Sequence, residues 1–160
     1  MTDRILSSDW FKFNDGGRAA AGYKGHAGDC VTRAVAIATG KPYQEIYDAM
    51  FSAIKEHAEG RSRSATRAAR GGGRRGTTPR NGVAKEVTKK YLAALGWKWT
   101  PTMGIGTGCK VHLKASELPG GRLIVSVSKH LVAVIDGVIN DTHDPSRNGT
   151  RCVYGYWSKP

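Results

Sequence analysis

The spacing of hydrophobic residues changes along this chain. From Cys30 to Gly40 the run CVTRAVAIATG consists of good helix formers and sets Ala34, Ile37 and Ala38 on one face, predicting a first helix. Asp29 stands at its N-cap position and is expected to turn its carboxylate back onto the helix start, and Gly40 supplies the stop. Pro42 suits the first turn of a second helix, in which Ile46, Tyr47, Met50, Phe51 and Ile54 recur at steps of three and four to about His57. A third helix is expected over about 82–95, where Val83, Val87, Tyr91 and Leu95 form one stripe.

Farther along, short apolar runs replace the helical period. Strands are expected at 123–127, 131–135, 138–141 and 152–157, with a short one at 97–99 and a single helical turn at 114–118. Before Cys30 come Trp10, Phe11 and Phe13, then glycines at 16, 17, 22, 25 and 28; this segment reads as an irregular arm that packs its aromatics on the body. Helices first and antiparallel strands after them define an α+β class.

At 160 residues and 39% hydrophobic content, the chain fits a single domain over 1–160. The most apolar stretch, 123–139, is interrupted by Lys129, His130 and Asp136, so no membrane span is expected. The first residues, MTDRILSSDWFKF, contain no sustained apolar run, so no signal peptide is expected and a reducing, cytoplasmic setting is the default. The net charge of +12 is unevenly spread. Arg61, Arg63, Arg67, Arg70, Arg74, Arg75 and Arg80 fall in one acid-free segment, and without these seven the charge drops to +5. Residues 60–81 therefore read as a flexible Arg/Gly-rich loop on a mildly basic body. Any role in nucleic-acid binding belongs to that loop, through phosphate contacts, because it lacks interleaved aromatics for base stacking.

The dipeptide Asp136-Gly137 between apolar runs predicts a hairpin with a two-residue turn, since a type I′ turn needs positive φ at both centres. Ile135 then pairs with Val138, and the same register carries His130, Val132, Asp141 and His143 to one face. Asp141 lies diagonal to His130, within side-chain reach, whereas Asn140 points to the other face. A slip of one residue would exchange those two roles. An imidazole oriented by a carboxylate suits general-base work on a nucleophile. Cys30 is the candidate, because the start of a helix favours a thiolate and offers free N–H groups to an oxyanion.

The segments GDCVTRAVAIATG at 28–40 and KHLVAVIDGVINDT at 129–142, with the order Cys, His, Asp and an α part before a β part, resemble the papain-like cysteine hydrolase superfamily. They cover about one-sixth of the chain. The chain is also similar to small bacteriophage and prophage members of that superfamily, which implies a viral origin and a host cytoplasm. The resemblance implies a papain-like fold, with N-terminal helices, the nucleophile heading one of them, packed on a C-terminal antiparallel sheet. It implies Cys30 as nucleophile, His130 as base and Asp141 as orienting acid, acting on a protein, peptide or other amide or ester substrate. Many members place a Gln shortly before the cysteine for the oxyanion hole. Residues 23–29 here contain none, which leaves Lys24, His26 or the backbone alone.

Other readings remain beside this one. The scaffold can instead be an inactive binding module that uses the 61–80 loop to hold nucleic acid or an acidic partner. His143 lines the cleft or is an exposed loop residue, and Trp97, Trp99, Tyr154, Tyr156 and Trp157 form a substrate wall or simply pack. Cys30, Cys109, Cys152, His130 and Asp141 lack the CxxC or HxxxH spacing of a zinc site, and residues 103–108 lack the ending of a phosphate-binding loop. No metal and no cofactor is expected.

Overall fold

The computed structural model describes residues 10–25, 28–58, 78–104 and 106–159. The fold is α+β, with three α-helices and a six-stranded sheet among the described residues. Helix α1 spans Cys30–Thr39, α2 Tyr43–Ala58 and α3 Lys85–Ala94. The strands are β1 Phe11–Phe13, β2 Lys98–Pro101, β3 Arg122–Val127, β4 His130–Ile135, β5 Val138–Asp141 and β6 Val153–Ser158. They are ordered β1-β5-β4-β3-β6-β2.

The sheet is mixed rather than wholly antiparallel, and it is not confined to the C-terminal third. The N-terminal arm, expected to be irregular, supplies β1, which runs parallel to β5 and pairs Phe11 with Ile139 and Phe13 with Asp141. Its pattern is faint in sequence because only Phe11 of the three residues is buried, while Phe13 stays exposed. Strand β2 closes the opposite edge against β6. Helix α3 begins at Lys85, later than its apolar stripe suggests, because Ala84 is still extended (φ −61°, ψ 145°). Most of the 60–81 loop lies outside the described residues. Its end, Pro79–Asn81, forms a 3-10 turn.

Two apolar layers hold the sheet. On one face Ile124, Leu131, Ala133 and Trp157 pack with Val35, Ile46, Met50 and Leu92 of the three helices. On the other, Leu123, Val125, Val132, Val134 and Ile139 pack with Leu113 and Leu118. Alternation along β3 and β4 thus sends successive apolar side chains to opposite layers, as a strand buried on both faces requires. Helix α1 is buried along nearly its whole length, Val31 to Ala38, and lies against β4 and β5.

Cys109 and Cys152 form a disulfide with a Cα–Cα distance of 5.7 Å, inside the usual range for such a bridge. The reducing setting taken as the default gave no reason to expect this bridge. The partners stand 43 residues apart in no recognisable motif, and backbone bonds from Val153 N to Val111 O and from Leu113 N to Arg151 O, both 2.8 Å, bring them together. With three cysteines in the chain, Cys30 is the single free thiol.

The hairpin has the register its turn predicts, with Ile135 paired to Val138 and Val134 to Ile139. Asp136 (φ 49°) and Gly137 (φ 79°) both occupy the left-handed region. The Asp136 carboxylate accepts the Gly121 N–H at 2.8 Å, tying the turn to the start of β3. A Cβ on Gly137 would lie 2.8 Å from that of Ala115. Gly137→Ala is therefore expected to lose about 1–2 kcal/mol from the left-handed backbone alone, and more through this clash, measured by urea denaturation.

Candidate active site

Three segments converge at one end of the hairpin. Helix α1 presents Cys30 at its first turn, β4 opens with His130, and β5 ends with Asp141. Alternation from the Val134–Ile139 pair places His130 and Asp141 on one side of the ladder. Their side chains meet, with His130 Nε2 2.6 Å from Asp141 Oδ2. The same imidazole neighbours the Cys30 thiol: both line one cavity, and each shifts the other's titration. Since Nε2 is engaged by Asp141, Nδ1 is the nitrogen left for the sulfur.

Asp141 is fixed from several directions. Its Oδ1 accepts the Thr142 N–H at 2.7 Å and lies 3.2 Å from Arg33 Nη1. The Thr142 hydroxyl accepts from Arg33 at 2.6 Å. The Asp141 carbonyl accepts the Asn14 N–H at 2.9 Å, so the residue following β1 also anchors the Asp141 backbone. The other side of Arg33 faces Asp29, Nε to Oδ1 3.2 Å. Asp29 Oδ2 then takes Arg18 Nε at 3.1 Å and the Tyr43 hydroxyl. Asp29, Arg33 and Asp141 are each almost fully buried. Asp29 occupies the expected N-cap position, its carbonyl accepting the Arg33 N–H at 3.1 Å, but contrary to expectation its carboxylate makes no cap hydrogen bond. Arg33, one turn along the same helix and cut off from water, draws the carboxylate sideways instead.

These contacts set the protonation states. Burial pushes the Cys30 thiol up, but the His130 hydrogen bond and charge, the Leu131 backbone and the Arg33 charge outweigh it and leave its pKa lowered. Burial would lower His130, yet its bonds to Asp141 and Cys30 raise it to about 9. Asp141, which burial pushes up, is held below the usual carboxylate range by His130, the Thr142 N–H and Arg33. A thiolate beside an imidazolium is the pair this balance favours, between the lowered thiol pKa and about pH 9.

Cys30 and His130 open onto a cavity of about 520 Å³, a size that accommodates a small ligand. Trp99 and Trp157, with ring centroids 5.1 Å apart, form part of its wall, while Trp97 is buried in the core. A Cβ on Gly155 would stand 2.3 Å from the Trp99 ring, so glycine at that position is what lets Trp99 lie over β6.

The remaining candidates are distributed as follows. His143 is exposed and lies beside His130, ring centroids 5.4 Å apart. Lys24 is exposed and absent from the cavity wall; its carbonyl, not its ammonium, is used, accepting from Arg80 at 2.7 Å. His26 and Arg61, Arg63, Arg67, Arg70, Arg74 and Arg75 lie outside the described residues. Arg80, the described member of that group, is occupied by the Lys24 carbonyl and the Tyr23 ring. His130, Asp141 and His143 bring ligand-type atoms within 4.8 Å of one another, but the two Asp141 oxygens already serve His130, Arg33 and Thr142. Cys109 and Cys152 are consumed by their disulfide.

Sequence reasoning missed Arg33. Its signal was present, because one arginine inside the otherwise uncharged run 30–39 must be buried if the helix is, and a buried cation needs carboxylates. Comparisons with family models, curated proteins and solved structures found no match.

Arg33→Met removes the shared cation and leaves Asp141 buried with one fewer partner. A loss of about 3–5 kcal/mol is expected by chemical denaturation. Arg33→Lys should lose less. In that variant the thiolate limb of Cys30 alkylation should move to higher pH if the lysine fails to reach Asp141.

Proposed function

We propose that this protein is a cysteine-dependent hydrolase of papain-like arrangement. Cys30 is the nucleophile, His130 the general base and acid, and Asp141 the orienting carboxylate. The observation that carries this reading is the junction of His130 with Asp141 at 2.6 Å and with the one free thiol, from segments 100 residues apart in the chain.

The chemistry runs in two halves. The Cys30 thiolate adds to the carbonyl carbon of an amide or ester, and the carbonyl electrons move to oxygen. The Cys30 N–H, which a helix start leaves without an intrahelical acceptor, faces that oxyanion. As the carbon–nitrogen or carbon–oxygen bond breaks, His130 gives its proton to the departing amine or alcohol, leaving a thioester. The neutral imidazole then takes a proton from water, the hydroxide adds to the thioester, and the carboxylic acid leaves with the thiolate restored. Asp141 keeps Nε2 directed away from the sulfur throughout, so that Nδ1 meets each proton.

Alkylation of Cys30 by iodoacetamide, followed against pH by peptide mass, tests the pair. Rapid reaction should persist well below the ordinary thiol pKa of about 8.5 and disappear in His130→Ala. Hydrolysis should fall as pH rises through about 9, where His130 loses the proton it must donate. Cys30→Ala should abolish turnover with the fold retained. Turnover that survives in Cys30→Ala removes the nucleophile assignment.

A further inference from the structure

The cavity beside Cys30 has a distribution of charge that the hydrolytic chemistry does not use. Its interior is apolar, with Val83, Leu131, Trp99 and Trp157 among its walls. Its rim holds three exposed lysines, Lys85, Lys89 and Lys129, against a single carboxylate, Glu86. Lys85 and Lys89 stand one turn apart on α3 and so project from one side of the helix. Among the described residues none of the three forms an ion pair.

Lys129 carries the argument furthest. It sits in the two-residue connection between Val127 and His130, which pair as the last rung of the β3–β4 ladder. Its backbone is left-handed (φ 57°), a conformation that glycine or asparagine adopts at lower cost. A lysine there gives up backbone energy and gains no ion pair within the described fold. What it gains is position, because it directly precedes His130 and lines the same cavity.

We propose that this cavity selects an acyl group with an apolar side chain and a neighbouring carboxylate, the apolar part lying against Trp99 and Trp157 and the carboxylate meeting the lysine rim. Lys129 is the principal specificity residue, supported by Lys85 and Lys89. This assignment rests on Cys30 being the activated nucleophile described above. Exposed charges of this kind act through solvent, so the selection is modest at physiological salt and weakens as salt rises.

Two affinity reagents separate the assignment from the reading beneath it. N-acetyl-leucine chloromethyl ketone and N-succinyl-leucine chloromethyl ketone share an apolar side chain and a reactive carbon, but only the succinyl form carries a carboxylate. With either, the thiolate displaces chloride and a carbon–sulfur bond forms. Inactivation rates are measured at low salt for the wild type, Lys129→Gln and Lys85→Gln/Lys89→Gln, with iodoacetamide as the control for thiol reactivity. The succinyl reagent should be favoured by about three- to tenfold in the wild type, with the preference cut most in Lys129→Gln and reduced by added salt. Iodoacetamide should react with all three proteins at similar rates. Fast iodoacetamide reaction with no succinyl preference, or with a preference unmoved by the lysine variants, overturns the selection and leaves the nucleophile standing. A thiol that reacts with iodoacetamide no faster than free cysteine overturns the hydrolase reading and this assignment together.

Discussion

The arrangement depends on one buried cation. Arg33 lies between Asp29 and Asp141, almost wholly removed from water, and joins α1 to the end of β5. Three charges at such depth are tolerable only because each has opposite charge within hydrogen-bond range. The consequence is geometric as well as electrostatic. Cys30 and Arg33 are three residues apart on one helix, so fixing Arg33 against Asp141 also fixes the sulfur relative to the carboxylate that orients His130. A rotation of α1 that withdrew Cys30 from the imidazole would strip Arg33 from Asp141, while Asp29, heading the same helix, would move with it.

Different forces secure the two other members of the constellation. His130 and Asp141 sit on a hairpin whose register is set by a turn that two left-handed residues define and by apolar side chains committed to opposite layers. Because a slip by one position would send every one of those side chains to the wrong layer, the hydrophobic energy of the sheet protects the placement of the site. Strand β1 adds a backbone clamp on Asp141 from outside the hairpin. Helix position is thus held by charge and hairpin position by hydrophobic pattern, and the site lies where the two constraints meet.

That division also explains what the sequence reveals. Periodicity and turn chemistry are local, so α1, α2, the β4–β5 hairpin and the diagonal relation of His130 to Asp141 can be read from neighbouring residues. Features that depend on partners far along the chain are hidden. Phe11–Phe13 is too short and too exposed to read as a strand without β5 beside it. Cys109 and Cys152 become neighbours only through the backbone pairing around Val111 and Val153. Asp29 holds the N-cap position that the local rules assign it, but its carboxylate is drawn from capping by Arg18, Arg33 and Tyr43, which no local rule weighs. Arg33 itself was legible in principle, as the one charge inside a helix that the apolar pattern already committed to the core.

The competition between burial and charge gives the site its chemical character. For both Cys30 and Asp141, burial is the largest single influence and favours the neutral form, yet both end with lowered pKa values. The reversal requires several partners acting together, since a single hydrogen bond does not offset the loss of water around a buried anion. His130 serves both anions at once, and Arg33 adds positive charge to each. A proton removed from the sulfur therefore passes to an imidazole already held by a carboxylate that is itself kept ionised. Neutral Cys30 beside neutral His130 would leave the Asp141 charge with less compensation than the folded chain provides in the ion-pair state. The network thus favours charge separation before any substrate arrives, and the environment that lowers the thiol pKa is built into the packing of α1 against the hairpin.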